Sequence, residues 1–163
     1  MALSTREWAL VGSIVAADRI TKLVAESLRP ESLWFSYVRN TGAGFGIFRD
    51  YNGILAVIAA AALVAIYFIL RKPNEYSSHE RIAIIILGAG VIGNLWDRIQ
   101  YQYVIDFIAI LSPTGFPVFN IADSAITLSV AYLVAMTLRS TYAGWAFGSK
   151  QKQTRTIPTS KKK

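Results

Sequence analysis

The stretch Asn52-Gly-Ile-Leu-Ala-Val-Ile-Ala-Ala-Ala-Ala-Leu-Val-Ala-Ile-Tyr-Phe-Ile-Leu70 contains nineteen residues and no charge. As a helix rising about 1.5 Å per residue it would extend roughly 28 Å, close to the thickness of a bilayer's hydrocarbon core. A run of this kind reads as membrane-spanning. The rest of the chain agrees: of 163 residues 53% are hydrophobic and 17% charged, whereas soluble domains carry about 25% charged residues.

Working outward, three more segments read as spans. Ile82 to Leu95 is apolar, holds the small residues Gly88, Ala89, Gly90 and Gly93, and can continue as helix to about Ile99. Pro117 to Leu138 carries one charge, Asp123, near its start. Glu7 to Val24 is the weakest, because Asp18, Arg19 and Lys22 interrupt it. That first segment could instead be a secretory signal peptide, with Arg6 ahead of an apolar run from Trp8 to Ala17. Asp18-Arg19-Ile20-Thr21-Lys22 follows in place of a small-residue cleavage site, which favours a retained helix. The expectation is an all-α membrane protein with four transmembrane helices. They form one domain over residues 1–140, with outer loop elements at about 28–50 and 100–117. A basic, flexible cytoplasmic tail over 141–163 follows.

Charge fixes an orientation. Residues 1–138 hold ten Lys/Arg and ten Asp/Glu, whereas 139–163 hold seven basic residues and no acid. Beside a membrane helix, the positive-inside rule accounts for such a tail more simply than nucleic-acid binding does, and no nucleic-acid partner is expected. With four spans and the tail inside, both termini are cytoplasmic, and so is the link bearing Arg71, Lys72 and Arg81. The first outer link is the exception, since it holds Arg29, Arg39 and Arg49, partly balanced by Glu26, Glu31 and Asp50. Cysteine is absent, which excludes disulfides, thiolate ligands and a thiol nucleophile.

This layout gathers the unusual polar residues at one level, the outer membrane boundary. Asp18 and Lys22, four apart, lie near the outer end of the first helix, and Asn94, Asp97 and Arg98 in the last turns of the third. Asn120 and Asp123 share a face in the first turns of the fourth. Asp106 precedes that helix, and Asn40 lies in the first outer link. Charged groups in such places are costly and point to function. The link Glu31–Asp50 adds a β-prone run, Leu33 to Val38, and a turn-rich Asn40-Thr-Gly-Ala-Gly-Phe-Gly46 that lacks the Lys-Ser/Thr of a phosphate loop.

Two carboxylates held close share a proton, and such a pair can activate water and protonate a leaving amine without metal or cofactor. Asp106 and Asp123 are the candidates. The single histidine, His79, falls in the cytoplasmic link, which disfavours a metal, and Ser124 has no evident base. Simpler roles stand beside these: Asp97–Arg98 and Asp18–Lys22 as ion pairs, and Asn120 as a helix N-cap. A proton-coupled transporter would use the same residue types but string them through the membrane's depth. A membrane scaffold would tolerate Asn at either aspartate.

Taken together, Asp18-Arg-Ile-Thr-Lys22, Asn40-Thr-Gly-Ala43, Gly93-Asn-Leu-Trp-Asp-Arg98, Val104-Ile-Asp-Phe107 and Phe119-Asn-Ile-Ala-Asp-Ser124 resemble, in order, the motifs of the bacterial lipoprotein signal peptidases (signal peptidase II). The resemblance covers residues 18–127 and says nothing of the tail. It implies an aspartic endopeptidase that cleaves diacylglyceryl-modified prolipoproteins just before the lipidated cysteine, at the outer face of the cytoplasmic membrane. Asp106 and Asp123 would be the catalytic pair, with Asn40, Asn94, Arg98 and Asn120 lining the substrate site. Asp18, Lys22 and Asp97 would support them. It also implies an extracytoplasmic β-cradle and a short amphipathic helix within 28–50, no cofactor, and a monomer whose partners are prolipoproteins and membrane lipids. Arg19 stands where Gln is common, Gly44 where Ala is common, and Gln102 where Gly usually precedes the Val-x-Asp-Phe motif.

Overall fold

The computed structural model describes residues 3–43, 47–72, 75–110 and 117–154, with the side chains of the last helix described as far as Tyr142. Among the described residues four helices carry the chain: α1 (Thr5–Leu28), α2 (Asn52–Arg71), α3 (Ser78–Tyr101) and α4 (Ile121–Thr154). Three of them, Asn52–Arg71, Ser78–Tyr101 and Ile121–Tyr142, are long and apolar enough to cross a membrane. α1 and α3 open with the same device: Ser4 and Ser77 each cap their helix and receive a returning carboxylate, from Glu7 and Glu80.

α3 is central and packs against α1, α2 and α4. Its small residues permit this. A Cβ on Gly90 would lie 2.6 Å from the Ala122 carbonyl oxygen, and one on Gly93 would lie 2.7 Å from the Asp18 carboxylate. At one end of the bundle Val11, Leu70, Ile84, Ile85 and Ala89 form an apolar core. Arg81 clamps that end by pairing with Glu7 at 2.6 Å and donating to the Leu70 carbonyl at 3.0 Å.

A three-stranded antiparallel sheet covers the opposite end, in the order β1 (Phe35–Asn40), β2 (Val104–Ala109), β3 (Val118–Phe119). Val38 pairs with Asp106 and Asn40 with Val104, so with a side-chain period of two Asn40 and Asp106 are diagonal neighbours on one face. Ile108 pairs with Phe119, and β3 runs into α4 through Asn120.

One expectation needs correction. The β elements do not come from residues 28–50 alone, because β2 and β3 lie between α3 and α4. Among the described residues of 28–50 there is a strand and turns but no helix, while Gly44 to Gly46 lie outside them. α4 runs on past residue 140 to Thr154. No Gly or Pro interrupts Tyr132 to Ala143, so nothing ends the helix where the apolar run stops. The side chains of Lys150 and Lys152, and residues 155–163, lie outside the described part.

Candidate active site

All nine residues singled out in the sequence meet where the sheet joins the bundle. The centre is Asn120, fully buried at the β3–α4 junction. Its side-chain oxygen accepts from the Asp123 amide at 2.8 Å, which makes it the N-cap of α4. Its Nδ2 donates to Asp106 Oδ1 at 2.7 Å and reaches Asn94 Oδ1 and the Ile105 carbonyl at 3.2 Å. One side chain therefore caps the helix bearing Asp123 and binds the carboxylate of Asp106. The N-cap role and a place in the site coexist.

Each aspartate has a second amide. Asn40 Nδ2 donates to Asp106 Oδ2 at 2.9 Å, and Asn94 Nδ2 to Asp123 Oδ1 at 2.6 Å. Asn40 is itself held by the Gly42 amide at 2.9 Å. Burial raises the Asp106 carboxyl to about 7, the negative charge of Asp123 adds to the rise, and the donors Asn40 and Asn120 oppose it. Burial of the two acids therefore favours keeping a proton on the pair into the neutral range.

Beneath the aspartates lies a buried ionic cluster. Lys22, with no exposed surface, contacts Asp18 at 2.7 Å, Asp97 at 2.9 Å and Asn94 Oδ1 at 3.1 Å. Asp18 and Lys22 form the expected pair four residues apart. Asp18 also accepts from the Ala122 amide at 2.9 Å, so α1 supplies a cap for α4. Asp97 does not pair with Arg98. It takes Arg19 on one oxygen, and on the other Lys22 and, at 3.3 Å, the Ile105 amide. Arg98 instead donates to the Gly42 carbonyl at 3.0 Å.

Sequence reasoning overlooked Arg19 as a member of this cluster and Asn52 as a clasp. Asn52 Nδ2 donates to the Arg98 carbonyl at 3.1 Å and to Gln102 Oε1 at 3.0 Å, joining α2 to the end of α3. A polar side chain opening an otherwise charge-free span was the available signal. Gln102 sits at φ 65°, the left-handed cap where glycine is easiest, and its side-chain bond to Asn52 helps hold that conformation.

The site opens into a cavity of about 760 Å³. Asn40, Asn94, Arg98 and Asp123 line its polar end, and a groove walled by α2 (Leu55, Ile58, Ala62) and α4 (Ile126, Leu128) leads away from it, with Val91 of α3 between them. The arrangement joins a polar centre with two buried carboxylates to an apolar slot.

The profile of the family described as signal peptidase (SPase) II matches residues 10–139. The chain belongs to that family. The lipoprotein signal peptidase of Dehalococcoides mccartyi is 39% identical, the match covering 80% of this chain and 87% of the relative. That of Clostridium tetani is 34% identical over 77% of this chain and 87% of its own. A bacterial membrane enzyme solved by the in meso method at 2.3 Å superposes with a TM-score of 0.73 at 27% identity, covering 83% of this chain and 89% of that one. As a signal peptidase II the chain is a membrane hydrolase that removes signal peptides from prolipoproteins.

Proposed function

We propose that this signal peptidase II works as an aspartic endopeptidase in which Asp106 and Asp123 form the reacting pair. The observation that carries the proposal is the single side chain of Asn120, bonded to the carboxylate of Asp106 while capping the helix that bears Asp123, with Asp123 itself lining the cavity. Two acids held by one residue, Asp106 by the Asn120 side-chain amide and Asp123 Oδ2 by the Asn120 backbone amide at 3.4 Å, divide the roles: the ionised member takes a proton from water as it attacks the scissile carbonyl, and the protonated member donates to the leaving amine. The pair titrates as a unit, so neither role is assigned to one residue. Asn40 and Asn94 orient the acids, and Arg98 offers donors to the substrate backbone. The groove between α2 and α4 takes the apolar part of a lipid-modified prolipoprotein, which places the bond before the lipidated cysteine at the acids.

The same reading places the site at the outer face of the cytoplasmic membrane and makes α1 a fourth crossing helix. α1 has 24 residues, about 36 Å of helix, and its charges Asp18 and Lys22 are sealed inside the protein. Ile20, Val24 and Leu28 are exposed on its surface, as lipid contact requires. We take the enzyme to act as a monomer, since one chain supplies every group named.

The test is cleavage of a diacylglyceryl prolipoprotein by Asp106→Asn and Asp123→Asn. Each is expected to lose roughly a thousandfold or more in kcat while remaining folded. Appreciable turnover by either folded variant would sink the pair.

A further inference from the structure

Arg19 borders the buried ionic cluster, and its surroundings give it a role there. Lys22 alone faces two carboxylates, Asp18 and Asp97, both without exposed surface. One cation against two anions would leave a surplus negative charge beneath Asp106 and Asp123, where desolvation makes like charges costly. Arg19 supplies the second cation. Its Nη1 meets Asp97 Oδ1, its Nη2 donates to the Tyr101 hydroxyl at 3.1 Å, and its guanidinium lies 5.5 Å from the Tyr101 ring centroid. The side chain is thus held at three points, partly buried, on the far side of Asp97 from the reacting pair.

From Asp97 two routes lead to the reacting acids. Its Oδ2 accepts from the amide of Ile105, the residue before Asp106. The same oxygen holds Lys22, which holds Asn94, which donates to Asp123. We infer that Arg19 is a positioning residue for the peptidase reaction: it neutralises the buried Lys22 cluster and, by fixing Asp97, sets the backbone that presents Asp106 and the amide that holds Asp123. The inference rests on the proposed role of Asp106 and Asp123. The charged and titratable groups bearing on them are Asp18, Arg19 and Lys22 from α1, Asp97, Arg98 and Tyr101 from α3, and the two acids themselves from β2 and α4; β1 contributes the neutral Asn40.

Arg19→Gln, Arg19→Lys and Asp106→Asn, each as the full chain in the same lipid discs, distinguish the possibilities. The measurements are kcat and KM for prolipoprotein cleavage from pH 5 to pH 9, together with thermal unfolding. Arg19→Gln is expected to lower kcat roughly tenfold with KM within about twofold. Its pH–rate profile is expected to move to higher pH, because with one cation fewer the nearby carboxyls keep their protons longer. Arg19→Lys, which keeps the charge, is expected to restore most of the rate and the original profile. An Arg19→Gln enzyme with unchanged kcat and profile overturns the inference, and so does a loss that only tracks a smaller folded fraction while the profile stays fixed. In both cases an inactive Asp106→Asn leaves the reaction assignment standing. Cleavage by folded Asp106→Asn removes the assignment and this inference together.

Discussion

Asp106 carries a thermodynamic signature that is independent of catalysis. Its carboxyl is raised from an ordinary 3.8 to about 7, mainly by burial. A group that binds its proton more tightly in the folded state stabilises the fold least at high pH, so stability falls as pH rises through the interval between these values and stays lost above it. Asp106→Asn removes that dependence. In unfolding scans the variant is expected to gain on the wild type between pH 5 and pH 8; parallel curves would show that the carboxyl is not held protonated. At this scale the sequence was readable for cost but not for partnership. Asp97 and Lys22 stood out as charges in apolar surroundings, yet nothing in Trp96-Asp97-Arg98 says that Asp97 turns away from its neighbour toward Arg19 and Lys22. Pairings between α1 and α3 depend on how the two helices rotate against each other, which their local sequences leave undetermined.

Among the elements, the helices were legible because lipid tolerates little else: a backbone crossing hydrocarbon must satisfy its own hydrogen bonds, and long charge-free runs follow. The sheet was only half legible. Leu33 to Val38 reads as β-prone and the strand forms at Phe35–Asn40, but its partner lies beyond two intervening helices at Val104–Ala109. Register across such a separation is set by burial and by the bulge between Phe35 and Val38, neither of which a single sequence displays. The elements also create the groove, because α2 and α4 both lean on α3 and leave a slot between them. Ala62 is one of the small residues in that slot. Ala62→Phe should fill it and raise KM roughly tenfold while leaving kcat nearly unchanged, since the change lies away from the acids. A fall in kcat at constant KM would argue against the groove as the substrate's apolar path.

For the whole molecule, the proposed topology can be read chemically, because the chain contains no cysteine and each introduced thiol is unique. Arg6→Cys and Lys72→Cys are expected to react with a membrane-impermeant maleimide only after cells are opened, whereas Ser32→Cys reacts in intact cells. Labelling of Arg6→Cys from outside would mean that α1 does not cross. Hydropathy left α1 the weakest span for a physical reason: it counts charges without knowing whether they face lipid or each other. Asp18 and Lys22, which depress the apolar count, are buried against α3 and α4, as the proposed fourth crossing requires.

That cluster also bears on the order in which the protein can be made. Asp18 and Lys22 belong to the earliest of the four helices in the chain order, but Asn94 and Asp97 appear more than seventy residues later and the Ala122 amide later still. An Asp or Lys in an isolated span is costly to insert, by up to about 2.5–3.5 kcal/mol at the helix centre and less toward its end. Under the proposed topology α1 therefore waits for α3 and α4 before its full set of partners exists, and completion of the peptidase centre and settlement of α1 in the bilayer become one cooperative event.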